Sequence, residues 1–364
     1  MKIATLAVSL AALALACTDA APIDAPAASE DGGVTAEPPR VVETTVSFDE
    51  NGVSAPVHFV VPPSTRSVTV VVEGEATRLH ALAAFAMSDG AERVGIDTTT
   101  SQAEAMRHGY FTEQTGAMPG EHVQSMRLGT FTHVYPYAPG QAVVEGDASL
   151  RVVRDAPLGA AKVRILMAPE DGARVLHLNL VRVSASEELP EDAPFLPELR
   201  RIFRQADIDV VVDEVLNVHG TGLERIAEMT EPQETPESEG ARLARAVAPK
   251  TASTALDVMI VDELPPNVRG LSLGVPGPPV PESYYYGVVV VTDTRARALA
   301  RVIAHEAGHF LGLQHVVNRG ASGERHDDPI PDTQDDGTNL MAEGAELTPG
   351  QAFVLSRSPL LSTN

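Results

Sequence analysis

The hydrophobic pattern of this chain changes near residues 187–197, and that change constrains the fold more than any other feature. Before it, apolar runs are short, rich in Val and often alternate with polar residues, as in residues 66–70. After it, continuous apolar runs such as Ala255–Val261 and Gly287–Val291 alternate with helical patterns. Alternation is typical of strands with one solvated face, whereas continuous apolar runs between helices are typical of a covered, mostly parallel sheet.

The pattern therefore predicts a multidomain chain. An all-β, sandwich-like domain is expected over residues 41–186, followed by an α/β (α+β) domain over residues 190–364. Turn residues separate many of the short strands in the first domain. The predicted strands are Val41–Phe48, Val57–Val61, Ser67–Val72, Val143–Val144, Ser149–Val153, Val163–Met167 and Val175–Val183. The sequence leaves open whether this β domain is a pro-domain or an accessory module.

The second domain alternates helices and strands. Its sheet is expected to be mostly parallel, with helices on its faces. The predicted helices are Pro197–Ala206, Pro236–Ala248 and Thr294–Leu313, and the predicted strands are Ile208–Val212, Ala255–Val261, Gly270–Val275 and Gly287–Val291.

The N-terminus has the features of an export signal. Lys2 is followed by a mostly apolar run, Ile3–Ala16, which is shorter than the roughly 20 residues that a membrane-spanning helix needs. Residues 1–16 are therefore predicted to be a signal peptide with a small-residue cleavage site. Cys17, the only cysteine, follows directly and resembles the lipidated cysteine of bacterial lipoproteins. That resemblance implies a lipoprotein of the cell envelope, and plain secretion is the alternative.

Composition and net charge limit the kinds of partner that this chain is expected to bind. Residues 17–40 hold hardly any large apolar side chain and are predicted to be a disordered tether. The formal net charge of −23 repels nucleic acid and anionic membranes, so membrane contact is expected only through a lipid on Cys17. With one cysteine, disulfides within the chain cannot stabilise the fold.

The third predicted helix carries the residues of a metal site. His305 and His309 are four residues apart, so they lie on one helix face and can present two imidazoles to one metal. Glu306 lies in the same turn and can reach a water molecule at the metal. Gly312 accepts the left-handed conformation that ends helices, which allows His315 to return as a third ligand. Three protein ligands with an open fourth position are typical of a catalytic zinc site.

The string HEAGHFLGLQH at residues 305–315 resembles the HExxHxxGxxH consensus of the metzincin zinc proteases. That family has a Met-turn beneath the metal, and the segment Asn339–Met341 occupies the corresponding place after the third histidine. The preceding segment, Asp328–Thr333, makes the pappalysin branch the most similar one. The resemblance covers roughly residues 190–364.

The resemblance implies a zinc-dependent endopeptidase that hydrolyses peptide bonds through a zinc-activated water, with Glu306 as general base and peptides or proteins as substrates. It also implies that Met341 lies in the Met-turn. A segment preceding the zinc helix resembles the edge strand along which metzincin substrates extend. Its residues are Leu271, Ser272, Leu273, Gly274 and Val275.

The sequence departs from the family and leaves alternatives open. No Tyr follows Met341, where several metzincin branches place a residue that helps stabilise the transition state; Ala342 and Glu343 stand there instead. The chain could also be a zinc-binding but inactive surface lipoprotein whose β domain serves adhesion or ligand binding. A run of carboxylates either binds Ca²⁺ or forms a solvated loop. Its members are Asp327, Asp328, Asp332, Asp335 and Asp336.

Overall fold

The computed structural model describes most of the chain after residue 38. The predicted signal peptide, Cys17 and the tether up to residue 38 lie outside the described residues, and no helix within those residues is long and apolar enough to cross a membrane. The described ranges are 39–95, 116–117, 123–170, 172–185, 189, 193–227, 235–251, 255–292, 295–319 and 325–363.

The first part of the described chain, here called the β region (residues 40–169), forms two antiparallel sheets. The strand order is β1-β10-β3-β8-β7-β6 in one sheet and β2-β9-β4-β5 in the other. The strands are β1 (Arg40–Ser47), β2 (Val57–Val61), β3 (Thr65–Glu73), β4 (His80–Ala86), β5 (Glu92–Gly95), β6 (Gly116–Ala117), β7 (Val123–Arg127), β8 (Thr130–Tyr135), β9 (Gly146–Arg154) and β10 (Ala160–Pro169).

The two sheets of the β region pack face to face. Phe85 of β4 meets the ring of Tyr135 on β8 edge to face, with centroids 5.9 Å apart, and stacks against Phe59 of its own sheet. Buried and more accessible residues alternate along β10, as expected for a strand with one face on the core. The predicted strand Val143–Val144 is wrong, because these residues lie in an irregular segment before β9.

The second part of the chain contains a mixed sheet in the order β12-β11-β13-β15-β14. The first four strands run parallel, β14 pairs antiparallel at one end, and β18 pairs antiparallel with β11. The strands are β11 (Arg174–Val183), β12 (Ile208–Val218), β13 (Leu256–Val261), β14 (Gly270–Ser272), β15 (Val288–Val291) and β18 (Leu361–Thr363); a separate hairpin consists of β16 (Val317–Arg319) and β17 (Arg325–Asp327).

One boundary of the predicted domains is wrong. Residues 175–183 were predicted to belong to the β domain ending at residue 186, yet they form β11 inside the mixed sheet, between β12 and β13. The segment alternates apolar with polar residues at its start, where β18 pairs antiparallel with it, but β12 and β13 flank it as parallel strands. The change from one sheet system to the other therefore occurs between Pro169 and Arg174. The division into two domains stays a prediction.

Helices cover both faces of the mixed sheet, as predicted. Helix α1 (Leu196–Phe203) and α3 (Ala296–Phe310) pack on the face that carries Val258 and Ile260, and α2 (Glu239–Val247) packs on the opposite face. Every residue of β13 is buried, which explains its continuous apolar sequence. Helix α4 (Pro349–Leu355) follows near the C-terminus and begins with a capping box between Thr348 and Gln351.

Polar contacts join the β region to the rest of the protein. The Tyr285 hydroxyl donates a hydrogen bond of 3.0 Å to the carbonyl of Leu128, in the turn between β7 and β8. The guanidinium of Arg357 donates to the carbonyl of Arg66 at 3.3 Å and to the carboxylate of Glu170 at 3.1 Å. The turn after β7 is thus fixed against the part of the protein that holds the histidines.

Candidate metal centre

Three histidines converge at the C-terminal end of α3. His305 and His309 lie one turn apart, with ring centroids separated by 4.7 Å. The helix ends at Phe310, and Gly312 adopts a φ of +115°, a conformation that residues with a Cβ rarely accept. The chain thereby reverses and places the Nε2 atom of His315 3.2 Å from that of His305 and 3.1 Å from that of His309. The predicted turn at Gly312 is present.

Hydrogen bonds orient two of the three rings. The Nδ1–H groups of His305 and His309 donate to the carbonyls of Leu340 and Leu313, at 2.7 and 2.8 Å. Because a carbonyl oxygen only accepts, each ring carries its proton on Nδ1 and directs the Nε2 lone pair towards the other histidines. Burial lowers the pKa of His305 to about 4 and that of His309 well below its usual range, so both rings are neutral at neutral pH.

This geometry fits a zinc ion. Lone pairs of neutral imidazoles facing one another at about 3 Å repel unless a cation lies between them. Carbonyl groups that accept from the Nδ1–H, as here, orient most metal-binding histidines. Three nitrogen ligands with an open side match a catalytic zinc site. Within the described part of the chain, the side chains of His305, His309 and His315 lie close enough together to hold one metal ion.

Glu306 lies beside the triad and against the edge of the mixed sheet. Its side chain is buried, and burial raises the pKa of the carboxyl to about 8. A hydrogen bond from the backbone N–H of Ser272 lowers this pKa, but by less than burial raises it. A Cβ at Gly270 would lie 2.5 Å from the Glu306 Cγ, so only glycine permits this approach. The sequence analysis placed Gly270 in a strand but missed it as a site residue.

Met341 lies beneath the triad, where the Met-turn was predicted. Its sulfur would lie 3.2 Å from a Cβ at Gly308, the residue before His309, and its side chain is buried. The preceding residue, Leu340, supplies the carbonyl that holds His305. The same turn therefore both packs against the zinc helix and orients one of its histidines.

A buried amide pair holds this turn in place. Asn339 and Gln351 exchange two hydrogen bonds of 2.9 Å, and Asn339 also accepts from the backbone N–H of Met341 at 2.9 Å. Gln351 is the capping-box residue of α4, so one side chain fixes both the helix start and the Met-turn. Gln351 was not predicted as a site residue, because the spacing of Thr348 and Gln351 indicates only a helix start.

The predicted substrate edge strand is shorter than expected. Strand β14 contains Gly270–Ser272 and stands at the end of the mixed sheet. Beyond it, the N–H of Leu273 donates to the carbonyl of Gly287 at 3.2 Å, and the hydroxyl of Ser272 donates to the carbonyl of Gly274 at 2.6 Å. The first bond continues the pairing with the neighbouring strand by one residue, and the chain then bends at Leu273 and Gly274 and turns at Val275, so these three residues lie outside the strand.

Two cavities meet at Glu306 and together form a cleft. One has a volume of about 490 Å³ and extends past His305 towards Ala342 and Glu343, the residues that stand in place of the family tyrosine. The other has a volume of about 250 Å³ and extends past His309 and His315 along β14. Both cavities include Gly270 and Glu306, so the cleft runs along the sheet edge and across the triad.

The acidic run gives no support to a calcium site. Asp328 is buried, its pKa is raised by burial to about 6, and its Oδ1 accepts from the Thr333 hydroxyl at 2.6 Å. The carboxylate of Asp332 accepts from the Thr348 hydroxyl and from the N–H of Gly350, both at 2.8 Å. Asp332 thus anchors the loop to the start of α4, whereas Asp328 forms hydrogen bonds within the loop. Calcium ligation is thus unsupported.

A helix with two histidines, a glycine turn, a third histidine and a methionine beneath them define a metzincin-type zinc peptidase site. Residues 272–354 match the family Peptidase_M43, described as pregnancy-associated plasma protein-A. The match covers under a quarter of the chain and includes the whole triad and Met341. The predicted resemblance to a metzincin zinc protease of the pappalysin branch is thereby confirmed.

Solved structures with partial similarity include two metalloproteins. Archaemetzincin from Methanopyrus kandleri is 15% identical, with 50% of this chain and 88% of that chain covered and a TM-score of 0.28. Metalloproteinase-II from Bacteroides fragilis is 12% identical, with 56% and 62% covered and a TM-score of 0.32. No curated protein matches the chain by sequence.

Proposed function

We propose that this chain is a zinc-dependent endopeptidase. The observation that carries the proposal is the convergence of three Nε2 atoms beside a buried carboxylate, in a cleft that runs along the edge of a sheet. His305, His309 and His315 would hold the metal. A zinc ion bound there lowers the pKa of water and polarises a carbonyl group.

Glu306 is the general base in this proposal. Its carboxylate reaches the cleft from the same helical turn as His305, and the close approach of Gly270 holds it in place. It takes a proton from the attacking water and delivers that proton to the leaving amine of the peptide.

The edge of β14 is the proposed docking line for the substrate. A peptide in extended conformation would lie along Gly270–Ser272 as an additional strand, with its scissile bond facing Glu306 and the triad. Main-chain hydrogen bonds along such an edge depend little on the peptide sequence. Side-chain preference must then come from the cavities on either side of Glu306.

Turnover of a mixed quenched-peptide library tests the proposal. The full chain should cleave the library, and Glu306→Ala should lower kcat by roughly two to four orders of magnitude, the usual contribution of a general base. Zinc content per chain should stay equal in both proteins. A matched control is Glu237→Ala, which removes an exposed carboxylate outside the cleft and should leave turnover unchanged.

Two outcomes would contradict the proposal. Equal turnover in the wild-type chain and in Glu306→Ala would exclude this carboxylate as the base. Stoichiometric zinc without turnover of any peptide would instead favour a zinc-binding protein without protease activity, in which the β region would serve adhesion or ligand binding.

A further inference from the structure

One wall of the zinc cleft comes from the β region. Arg127, the last residue of β7, lines the 250 Å³ cavity together with His309, His315 and the start of β14. Only 6% of its surface is exposed. An arginine from a different sheet therefore reaches the space next to the proposed scissile bond.

The turn that carries Arg127 is held from both sides. Arg127 pairs with Thr130 across the hairpin, and Gly129 makes the turn with a φ of +82°. The N–H of Gly129 donates to the carbonyl of Arg78 at 2.7 Å. On the other side, the Tyr285 hydroxyl donates to the carbonyl of Leu128 at 3.0 Å. These bonds preorganise Arg127 at the cleft, which favours a specific role in binding.

A second buried polar side chain lines the same cavity. Gln314, the residue before His315, is 4% exposed, and its Nε2 has no hydrogen-bond partner among the described residues. A buried amide N–H without an acceptor costs on the order of 1–3 kcal/mol, so a ligand that supplies an acceptor would be favoured here. Apart from Glu306, which the proposed mechanism uses, the cavity lining contains no carboxylate.

The charge of the cleft differs from that of the chain. The larger cavity carries two arginines, Arg269 and Arg301, with Glu343 as its acidic residue besides Glu306. Together with Arg127, three guanidinium groups line the cleft of a protein whose formal net charge is −23. A cationic cleft in an acidic protein attracts anionic segments of a substrate and disfavours basic ones.

We infer that Arg127 and Gln314 form a subsite for a carboxylate side chain, and that the substrates are acidic peptides with Asp or Glu next to the scissile bond. The inference rests on the proposed endopeptidase function. A guanidinium can bind a carboxylate through two parallel hydrogen bonds, and the Gln314 amide adds a third donor. Arg127 and Gln314 are thus assigned as specificity-determining residues.

Paired peptides that differ only by Glu or Gln test this assignment. The pairs place the exchange at each position flanking the cleavage site, and the full wild-type chain should prefer one Glu peptide by roughly tenfold to a hundredfold in kcat/KM, the range of charge-assisted hydrogen bonds. Arg127→Gln should abolish the preference, mainly through KM. Arg127→Lys should keep part of it, and Gln314→Leu should reduce it. Arg225→Gln, at an exposed arginine outside the cleft, is the matched control.

A binding measurement separates this inference from the proposed function. Fluorescence anisotropy of labelled Glu and Gln peptides on the Glu306→Ala chain reports the subsite without turnover. A preference for the Glu peptide that Arg127→Gln removes supports the subsite, even if no peptide is ever cleaved and the endopeptidase proposal fails. Turnover without any Glu preference, or a preference that survives Arg127→Gln, overturns the inference and leaves the endopeptidase proposal standing.

Discussion

At the scale of single residues, the site depends on residues that are neither metal ligands nor the proposed base. Gly270 allows Glu306 to lie against the sheet edge, and Gln351 holds the turn that contains Met341. His305, Glu306 and His309 could be predicted as site residues, because their spacing on one helix follows from helical geometry, and His315 could be predicted from the turn at Gly312. Gln351 and Arg127 could not be predicted as site residues, because each acts through contacts with segments distant in the sequence.

The buried imidazole of His80 should make the β region sensitive to acid. It lies in the core, neither ring nitrogen has a hydrogen-bond partner among the residues that the structure describes, and burial lowers its pKa from 6.5 to about 4. The unfolded chain takes up this proton below pH 6.5, whereas the folded chain resists it down to about pH 4. Stability from this group is therefore complete above pH 6.5 and falls by about 3 kcal/mol as the pH decreases to 4.

Urea unfolding of the wild type and of His80→Leu, at about pH 7.5 and about pH 5, measures this effect. When the pH is lowered between these two conditions, the free energy of unfolding should decrease more for the wild type than for His80→Leu. All other titrating groups are the same in the two proteins. His58→Asn replaces an exposed histidine on β2 and should show the same pH dependence of unfolding as the wild type. A parallel pH dependence in wild type and His80→Leu would show that His80 is not the sensitive group.

At the scale of elements, the zinc helix and the Met-turn act as one unit. Leu340 orients His305, and the Asn339–Gln351 pair fixes the turn that presents Leu340. The mixed sheet behind them was largely predictable, because fully buried parallel strands have continuous apolar sequences. Strand β4 was not predicted, because its run of alanines lacks the β-branched residues that favour strands.

Gln351→Leu should weaken both stability and zinc binding. The substitution leaves the buried Asn339 amide without its partner, which costs about 1–3 kcal/mol of unfolding free energy. The Leu340 carbonyl would then no longer hold His305 in a fixed orientation. Zinc affinity should therefore decrease by roughly tenfold or more, as it does when other residues that hydrogen-bond to metal ligands are replaced. Thermal unfolding and competition with a chelator measure the two effects.

Gln141→Leu is the matched control for this substitution, because Gln141 accepts from the backbone N–H of Tyr137 in the β region. It should leave zinc affinity unchanged. If Gln351→Leu lowers stability but not zinc affinity, the amide pair supports only the fold and does not position His305.

At the scale of the whole molecule, we propose that the protein is exported and held at the cell envelope by a lipid on Cys17. The support is the sequence of residues 1–17 together with the tether that follows. Expression of the wild-type chain and of Cys17→Ser in a lipoprotein-forming bacterium, followed by fractionation, tests this proposal. The wild type should sediment with membranes and Cys17→Ser should not. Equal distribution of both would favour plain secretion.

The position of β11 determines how this protein can be shortened. This strand lies between β12 and β13 in the mixed sheet, yet it follows the last strand of the β region after only a short turn. A cut in the segment 186–192 would leave an interior strand of the zinc-bearing sheet covalently attached to the N-terminal fragment. Removal of everything before residue 187 would therefore take an interior strand out of the mixed sheet, and a shortened chain that keeps this sheet intact has to begin before Arg174.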